Sequence, residues 1–156
     1  MRILISEEER RAMRGLKNLI TSISDKYEVV AEAANGRQAL ELIQIVKPDV
    51  VFTDLKMPYM DGMSLIKASQ AAGITTQYVI VTAYEEFEAA REAIGLGVKD
   101  YLVKPITYDE VYDLMKRLEK KKGERNSEEI VRLKEKYPDV HPLVIKCLNF
   151  IDKVYG

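Results

Sequence analysis

Pro48-Asp49-Val50-Val51-Phe52-Thr53-Asp54 carries an apolar or β-branched run, Val50 to Thr53, that ends on a carboxylate and continues into Leu55-Lys56-Met57-Pro58. An unbroken run this short predicts a strand buried on both faces, as at the centre of a parallel sheet. Asp54 then falls at the strand's C-terminal end, where open α/β sheets place their chemistry. Pro58 and Tyr59-Met60-Asp61-Gly62 enforce a turn directly afterwards. Taken alone, Asp54 is equally well explained as a turn cap.

Outward from that strand, the chain alternates. Ile3-Leu4-Ile5 is a short strand ending at Glu7-Glu8-Glu9, and Met13, Leu16, Leu19-Ile20 and Ile23 follow at helical spacing across Gly15. Tyr27–Ala33 reads as a strand, and a helix from Asn35-Gly36 closes at Pro48. Beyond Asp54 come a helix over Ser64–Ala72 stopped by Gly73, a strand at Tyr78–Val81 ending on Thr82-Ala83, and a helix over Glu85–Ile94 broken by Gly95 and Gly97. A strand at Asp100–Val103 ends on Lys104-Pro105, and a helix runs over Tyr108–Lys122. Five strand–helix alternations predict an α/β fold, a doubly wound parallel sheet with helices on both faces.

The 156 residues suffice for one domain of about 120 residues and an appendage. A formal net charge of -1 gives no global argument for nucleic-acid binding. One cysteine, Cys147, excludes an internal disulfide framework, and with one histidine, His141, it excludes the usual zinc sites. Any metal is expected to be a hard ion held by carboxylates. With no secretory pattern and no apolar run near the ~20 residues that span a bilayer, the expectation is a cytoplasmic protein without membrane contact.

Glu7-Glu8, Asp54, Thr82 and Lys104 all fall at strand ends that converge in a doubly wound sheet. Each alone has a plain reading: an exposed helix start, a turn cap, a strand-end cap, a solvated loop lysine. Together they describe crowded carboxylates that invite a divalent cation, with Mg²⁺ suited to few protein oxygens and several waters. Asp54 could then attack phosphorus, with Mg²⁺ and the Lys104 ammonium neutralising charge and Thr82 adding a hydrogen bond.

The acidic pair Glu7-Glu8, the Asp54-Leu55-Lys56-Met57-Pro58 and Met60-Asp61-Gly62 stretches, Thr82-Ala83, and Asp100-Tyr101-Leu102-Val103-Lys104-Pro105 resemble the receiver domain of two-component response regulators, the CheY-like fold, over residues 1–121. The resemblance implies a five-stranded sheet in the order 2-1-3-4-5. It implies Asp54 as phosphoacceptor from a sensor histidine kinase, and Glu7, Glu8, Asp54 and the backbone carbonyl of Lys56 as Mg²⁺ ligands. Thr82 and Tyr101 would be the switch pair that remodels the fourth helix, fifth strand and fifth helix; a plain reading of Tyr101 is one more packed aromatic. Receivers take part in their own phosphoryl transfer without being enzymes in the usual sense. A homodimer through that surface, or through the C-terminal extension, is a further expectation. Two departures stand out: the family's acidic pair normally contains aspartate, and Ser6 stands where an apolar residue is usual. Glutamate's extra methylene predicts weakened Mg²⁺ affinity, and the alternative is a non-phosphorylated receiver that serves as an interaction module. A phosphohydrolase is disfavoured, because Lys56 stands where the second acid/base carboxylate of such an enzyme is expected.

Composition shifts at Lys120-Lys121-Lys122, setting a boundary between residues 1–121 and a helical extension at 122–156. Asn126 with Glu129 fits a capping box. Leu143-Val144, Cys147-Leu148, Ile151 and Val154-Tyr155 then recur at helical spacing, a surface that needs a packing partner. The Gly15–Ile20 stretch and His141-Pro142-Leu143-Val144 with Phe150–Tyr155 resemble regulators with an AraC-type DNA-binding output domain. That implies that residues 122–156 are a helical linker and the start of a truncated output domain, with contact to DNA only through its missing recognition helices.

Overall fold

The computed structural model describes residues 1–83 and 86–119. The elements run β1 (Arg2–Ser6), α1 (Arg10–Ile23), β2 (Glu28–Ala33), α2 (Gly36–Val46), β3 (Val50–Thr53), α3 (Gly62–Ala71), β4 (Gln77–Thr82), α4 (Phe87–Gly95), β5 (Asp100–Val103) and α5 (Tyr108–Glu119). All strand pairs are parallel and the order is β2-β1-β3-β4-β5, as expected. The expected boundary at 121–122, the extension at 122–156 with its capping box, and the start of the helix expected from Glu85 lie outside the described residues.

Strand alternation sorts the core into two layers. Leu4, Val51, Ile80 and Tyr101 point to one face of the sheet and pack with Ala39 and Ile43 of α2, Leu65 and Ile66 of α3, and Ala90 and Ala93 of α4. Ile3, Ile5, Phe52, Val79 and Leu102 point to the other and meet Leu16 and Ile20 of α1 and Val111, Leu114 and Met115 of α5. Every residue of β3 is buried, which is why its sequence is continuously apolar rather than alternating. Burying each such side chain contributes roughly 1.5–3 kcal/mol. α1 runs unbroken through Gly15, whose missing side chain faces open space. No helix among the described residues is long and apolar enough to cross a membrane.

One boundary differs from the sequence reading in a way that matters. α3 begins at Gly62, two residues before the expected Ser64, because Asp61 is its N-cap and accepts the Ser64 N–H at 2.7 Å. Gly62 is a glycine for steric reasons: a Cβ there would collide with the backbone carbonyl of Asp54. The start of α3 is thereby pressed directly against the residue at the end of β3. Gly36 plays the same part at the start of α2, where a Cβ would meet the Met60 carbonyl.

Candidate functional site

Three residues stand one position beyond the ends of their strands, and each still donates its backbone N–H to the neighbouring strand. Glu7 N–H donates to Ala33 O (2.9 Å), Asp54 N–H to Ser6 O (3.0 Å) and Lys104 N–H to Thr82 O (2.8 Å). The ladder therefore fixes three chemically active side chains at one edge of the sheet. They meet there: Lys104 Nζ lies 2.7 Å from Glu7 Oε1 and 3.1 Å from Asp54 Oδ2. Asp54 Oδ1 also accepts the Leu55 N–H at 2.7 Å. Side-chain exposure is 8% for Glu7, 14% for Asp54 and 25% for Lys104, so the cluster is largely withdrawn from water.

The charges interact strongly in this setting. Burial, reinforced by a hydrogen bond with Asp54, pushes the Glu7 carboxyl up to about 7 against the opposing pull of Lys104. Burial alone would raise Asp54 too, but the hydrogen bond from Glu7, the Lys104 ammonium and the Leu55 N–H hold it below the ordinary carboxylate range. Burial works against the Lys104 charge, and its two carboxylate partners outweigh that and raise it. The result is that Glu7 takes up a proton far more readily than Asp54, beside the Lys104 cation.

The other expected site residues are placed as follows. Glu8 is exposed, unlike its neighbour: Glu7 is the last residue of β1's ladder with β2, and Glu8 is the first beyond it. Thr82 is fully buried at the end of β4, next to Asp54's strand. Tyr101 is 2% exposed, with its ring in the layer that holds Ala90 and Ala93. Lys56 is exposed in the loop after Asp54. The Lys104–Pro105 peptide is cis.

Sequence reading missed Met57 as part of the support. Its sulfur accepts hydrogen bonds from Ser6 Oγ (3.1 Å) and Thr53 Oγ1 (4.0 Å), so the buried hydroxyl of Ser6 has a partner behind the site. Its place three residues after Asp54, on the turn that returns over β1, was the available signal. Asp100 is a second case: it is fully buried at the start of β5 and paired with Arg117 of α5 at 2.5 Å. Beside the cluster a cavity of ≈ 360 Å³ opens between Asp54, Lys104 and Ala12, Gly15 and Leu19 of α1.

A hard divalent ion fits this donor set. Glu7 and Asp54 both contact the Lys104 ammonium, and crowded carboxylates of this kind suit a divalent cation. Among the described residues no third His, Cys, Asp or Glu completes a cluster, so the side chains supply two carboxylates. That suits Mg²⁺, which keeps several of its waters.

The chain matches the response regulator receiver domain model over residues 3–116. It is 34% identical over 119 residues to the chemotaxis protein CheY of Thermotoga maritima, covering 76% of this chain and 98% of that protein. It is 35% identical over 117 residues to the uncharacterized transcriptional regulatory protein YesN of Bacillus subtilis, covering 75% of this chain but only 32% of YesN. Among solved structures, the receiver domain of AraT, a response regulator from Geobacillus stearothermophilus, is 36% identical with a TM-score of 0.67, covering 75% of this chain and 91% of that one. The receiver domain of the response regulator NarL from Mycobacterium tuberculosis is 27% identical with a TM-score of 0.70, covering 77% and 97%. With the matched residues spanning all five strands and the Glu7–Asp54–Lys104 cluster, the chain belongs to the response regulator receiver domain family of two-component systems.

Proposed function

We propose that Asp54 accepts a phosphoryl group from the phosphohistidine of a sensor histidine kinase and that this chain is a phosphorylation-dependent switch. The observation that carries the reading is the placement of Asp54 at the end of β3, held below the ordinary carboxylate range and 3.1 Å from the Lys104 ammonium. An ionised Asp54 oxygen attacks phosphorus, a P–O bond forms, the P–N bond to the imidazole breaks, and the nitrogen keeps the bonding pair. Lys104 neutralises charge on the phosphoryl oxygens, and Thr82, at the end of the adjacent strand, offers a hydroxyl. Mg²⁺ would be held by Glu7, Asp54 and the Lys56 backbone carbonyl, with Glu8 as an outer carboxylate. It supplies further charge neutralisation at the transferred group.

Downstream, the reading assigns Thr82 and Tyr101 to the switch and α4, β5 and α5 to the surface it remodels, for homodimerisation or for contact with an output domain. YesN is a transcriptional regulatory protein of which this chain matches about a third, and that supports a DNA-binding output domain, of AraC type by resemblance, beginning within residues 122–156. A second reading, a receiver that signals without phosphorylation, is favoured by one observation: Glu8 is exposed while Glu7 is occupied by Lys104.

Intact-mass analysis after incubation with acetyl phosphate across a Mg²⁺ titration separates the two. The first reading predicts one added phosphoryl group that requires Mg²⁺ and is absent from Asp54→Ala. No addition at millimolar Mg²⁺, in the native chain and in Glu8→Asp alike, would favour the interaction module.

A further inference from the structure

The cavity of ≈ 360 Å³ beside the Asp54 cluster is chemically lopsided. Its floor is the buried Phe52 and Val81 of β3 and β4, and its walls are Ala12 and Leu19 of α1 on one side and Ile106 on the other. The two hydroxyls on its lining are already bonded: Ser6 Oγ donates to the Met57 sulfur (3.1 Å) and Thr53 Oγ1 to the Asp54 carbonyl (2.9 Å). Polar chemistry is therefore confined to Glu7, Asp54 and Lys104, at the C-terminal edge of the sheet. An apolar pocket of this size, with a few charged groups gathered in one place, has the form of a site for a small molecule with one charged group and an apolar body.

Gly15 points the same way. It lies in the interior of α1 on the lining of this cavity, its φ is not in the left-handed region, and nothing stands within 4 Å of where a Cβ would be. Neither a turn nor close packing among the described residues calls for glycine there, and a glycine inside a helix lowers its stability relative to alanine. Its effect is to keep the cavity open along α1, since a longer side chain would occupy the mouth. A local rule broken without a local gain is the mark of a functional position.

Asp54 and Lys104 line the same cavity, so a phosphoryl group placed between them has these apolar walls beside it. We propose that the cavity takes the apolar tail of a small acyl phosphate, and that donors with such a tail phosphorylate Asp54 in preference to acetyl phosphate. The proposal rests on the reading of Asp54 as phosphoacceptor and adds the class of small donor. An Asp54 oxygen attacks phosphorus and a P–O bond forms; the bond from phosphorus to the acyl oxygen breaks, and the carboxylate leaves with the electron pair. No proton has to be supplied. Each methylene withdrawn from water is worth roughly fourfold in affinity, so even a short tail matters.

The test compares acetyl phosphate with butyryl phosphate, whose leaving carboxylates are nearly equal in basicity, on the full 156-residue chain with Mg²⁺, following intact mass over time. The expected result is a half-maximal donor concentration about tenfold lower for butyryl phosphate, the effect of two further methylenes mostly withdrawn from water. Gly15→Leu, which fills the mouth, should abolish that difference, and so should Ile106→Asn on the facing wall. Equal half-maximal concentrations in the native chain would overturn the proposal while leaving Asp54 as phosphoacceptor. So would an advantage for butyryl phosphate that survives both substitutions, because the tail would then lie elsewhere. No labelling by either donor would overturn it together with the phosphoacceptor reading.

Discussion

The Lys104 ammonium lies closer to Glu7 Oε1, at 2.7 Å, than to Asp54 Oδ2, at 3.1 Å. Glu7 is a partner of Lys104 and of Asp54 at once. On the proposed reading a phosphoryl group would need the same lysine and a divalent cation the same carboxylate, so each would have to displace part of this contact.

In the presence of chelator, the Glu7 carboxyl should give stability a defined pH response. Its folded-state value of about 7 lies above the ordinary 4.5, so the folded state holds a proton that the unfolded chain has released between those two values. The associated stability is complete below about pH 4.5 and is lost as pH rises through 7, at up to about 1.4 kcal/mol per pH unit. Asp54 is lowered, so its contribution is lost only as pH falls through its folded value, below its ordinary 3.8. Thermal unfolding from pH 5 to 7.5 in chelator should show a falling Tm that is flattened in Glu7→Gln.

Metal binding displaces the Glu7 proton, so Mg²⁺ affinity should rise with pH through 7. Because Glu7 is buried in the cluster and Glu8 is exposed, the two carboxylates should differ. Calorimetric titration at pH 8 should show Glu7→Ala weakening Mg²⁺ by about tenfold or more, ~1.4 kcal/mol. Glu8→Ala should have the smaller effect; equal losses would make both direct ligands.

Lys104→Gln removes an ammonium that contacts both carboxylates. Labelling by acetyl phosphate should slow on the order of 10²-fold, the usual effect of deleting one charge-stabilising group. The same variant should bind Mg²⁺ at least as well as the native chain, since a competitor for Glu7 is gone. A rate loss that high Mg²⁺ fully restores would place the lysine's role in metal binding alone.

Gly62→Ala sets a Cβ against the Asp54 carbonyl, and the backbone on both sides has little room to yield. Overpacking of this kind destabilises by about 1–3 kcal/mol, and a denaturant titration should show it. Labelling of Asp54 should fall as well, because the collision is with the backbone of Asp54 itself.

Away from the site, Arg117→Met leaves the fully buried Asp100 carboxylate without its guanidinium. Loss of one partner of a buried pair is worth about 3–5 kcal/mol. Adding Asp100→Asn should return part of that loss, and a double-mutant cycle by denaturation measures how much.

Much of this was legible in residue order. The continuous run Val50–Thr53 could only be a strand covered on both faces, and strand–helix alternation fixed the class of sheet. Asp54 and Lys104 were legible because strand ends are where such sheets gather side chains. What stayed hidden depends on contacts between distant segments. That Glu7 enters the site and Glu8 leaves it follows from β1's ladder with Ala33 ending between them, which two adjacent glutamates do not reveal. The roles of Met57 behind Ser6 and of Gly36 against Met60 arise where loops fold back on the sheet, and no local period encodes them. The start of α3 was set by the Asp61 cap, not by the apolar spacing that pointed to Ser64.

The central claim is that Asp54 carries the phosphoryl group. Its most direct test is to treat the protein with acetyl phosphate and Mg²⁺, reduce with borohydride, and map the product by peptide mass spectrometry, since borohydride converts an aspartyl phosphate to homoserine. Homoserine at position 54, dependent on Mg²⁺ and diminished in Lys104→Gln, is the predicted result. Homoserine at another aspartate, or none at any position, would contradict it.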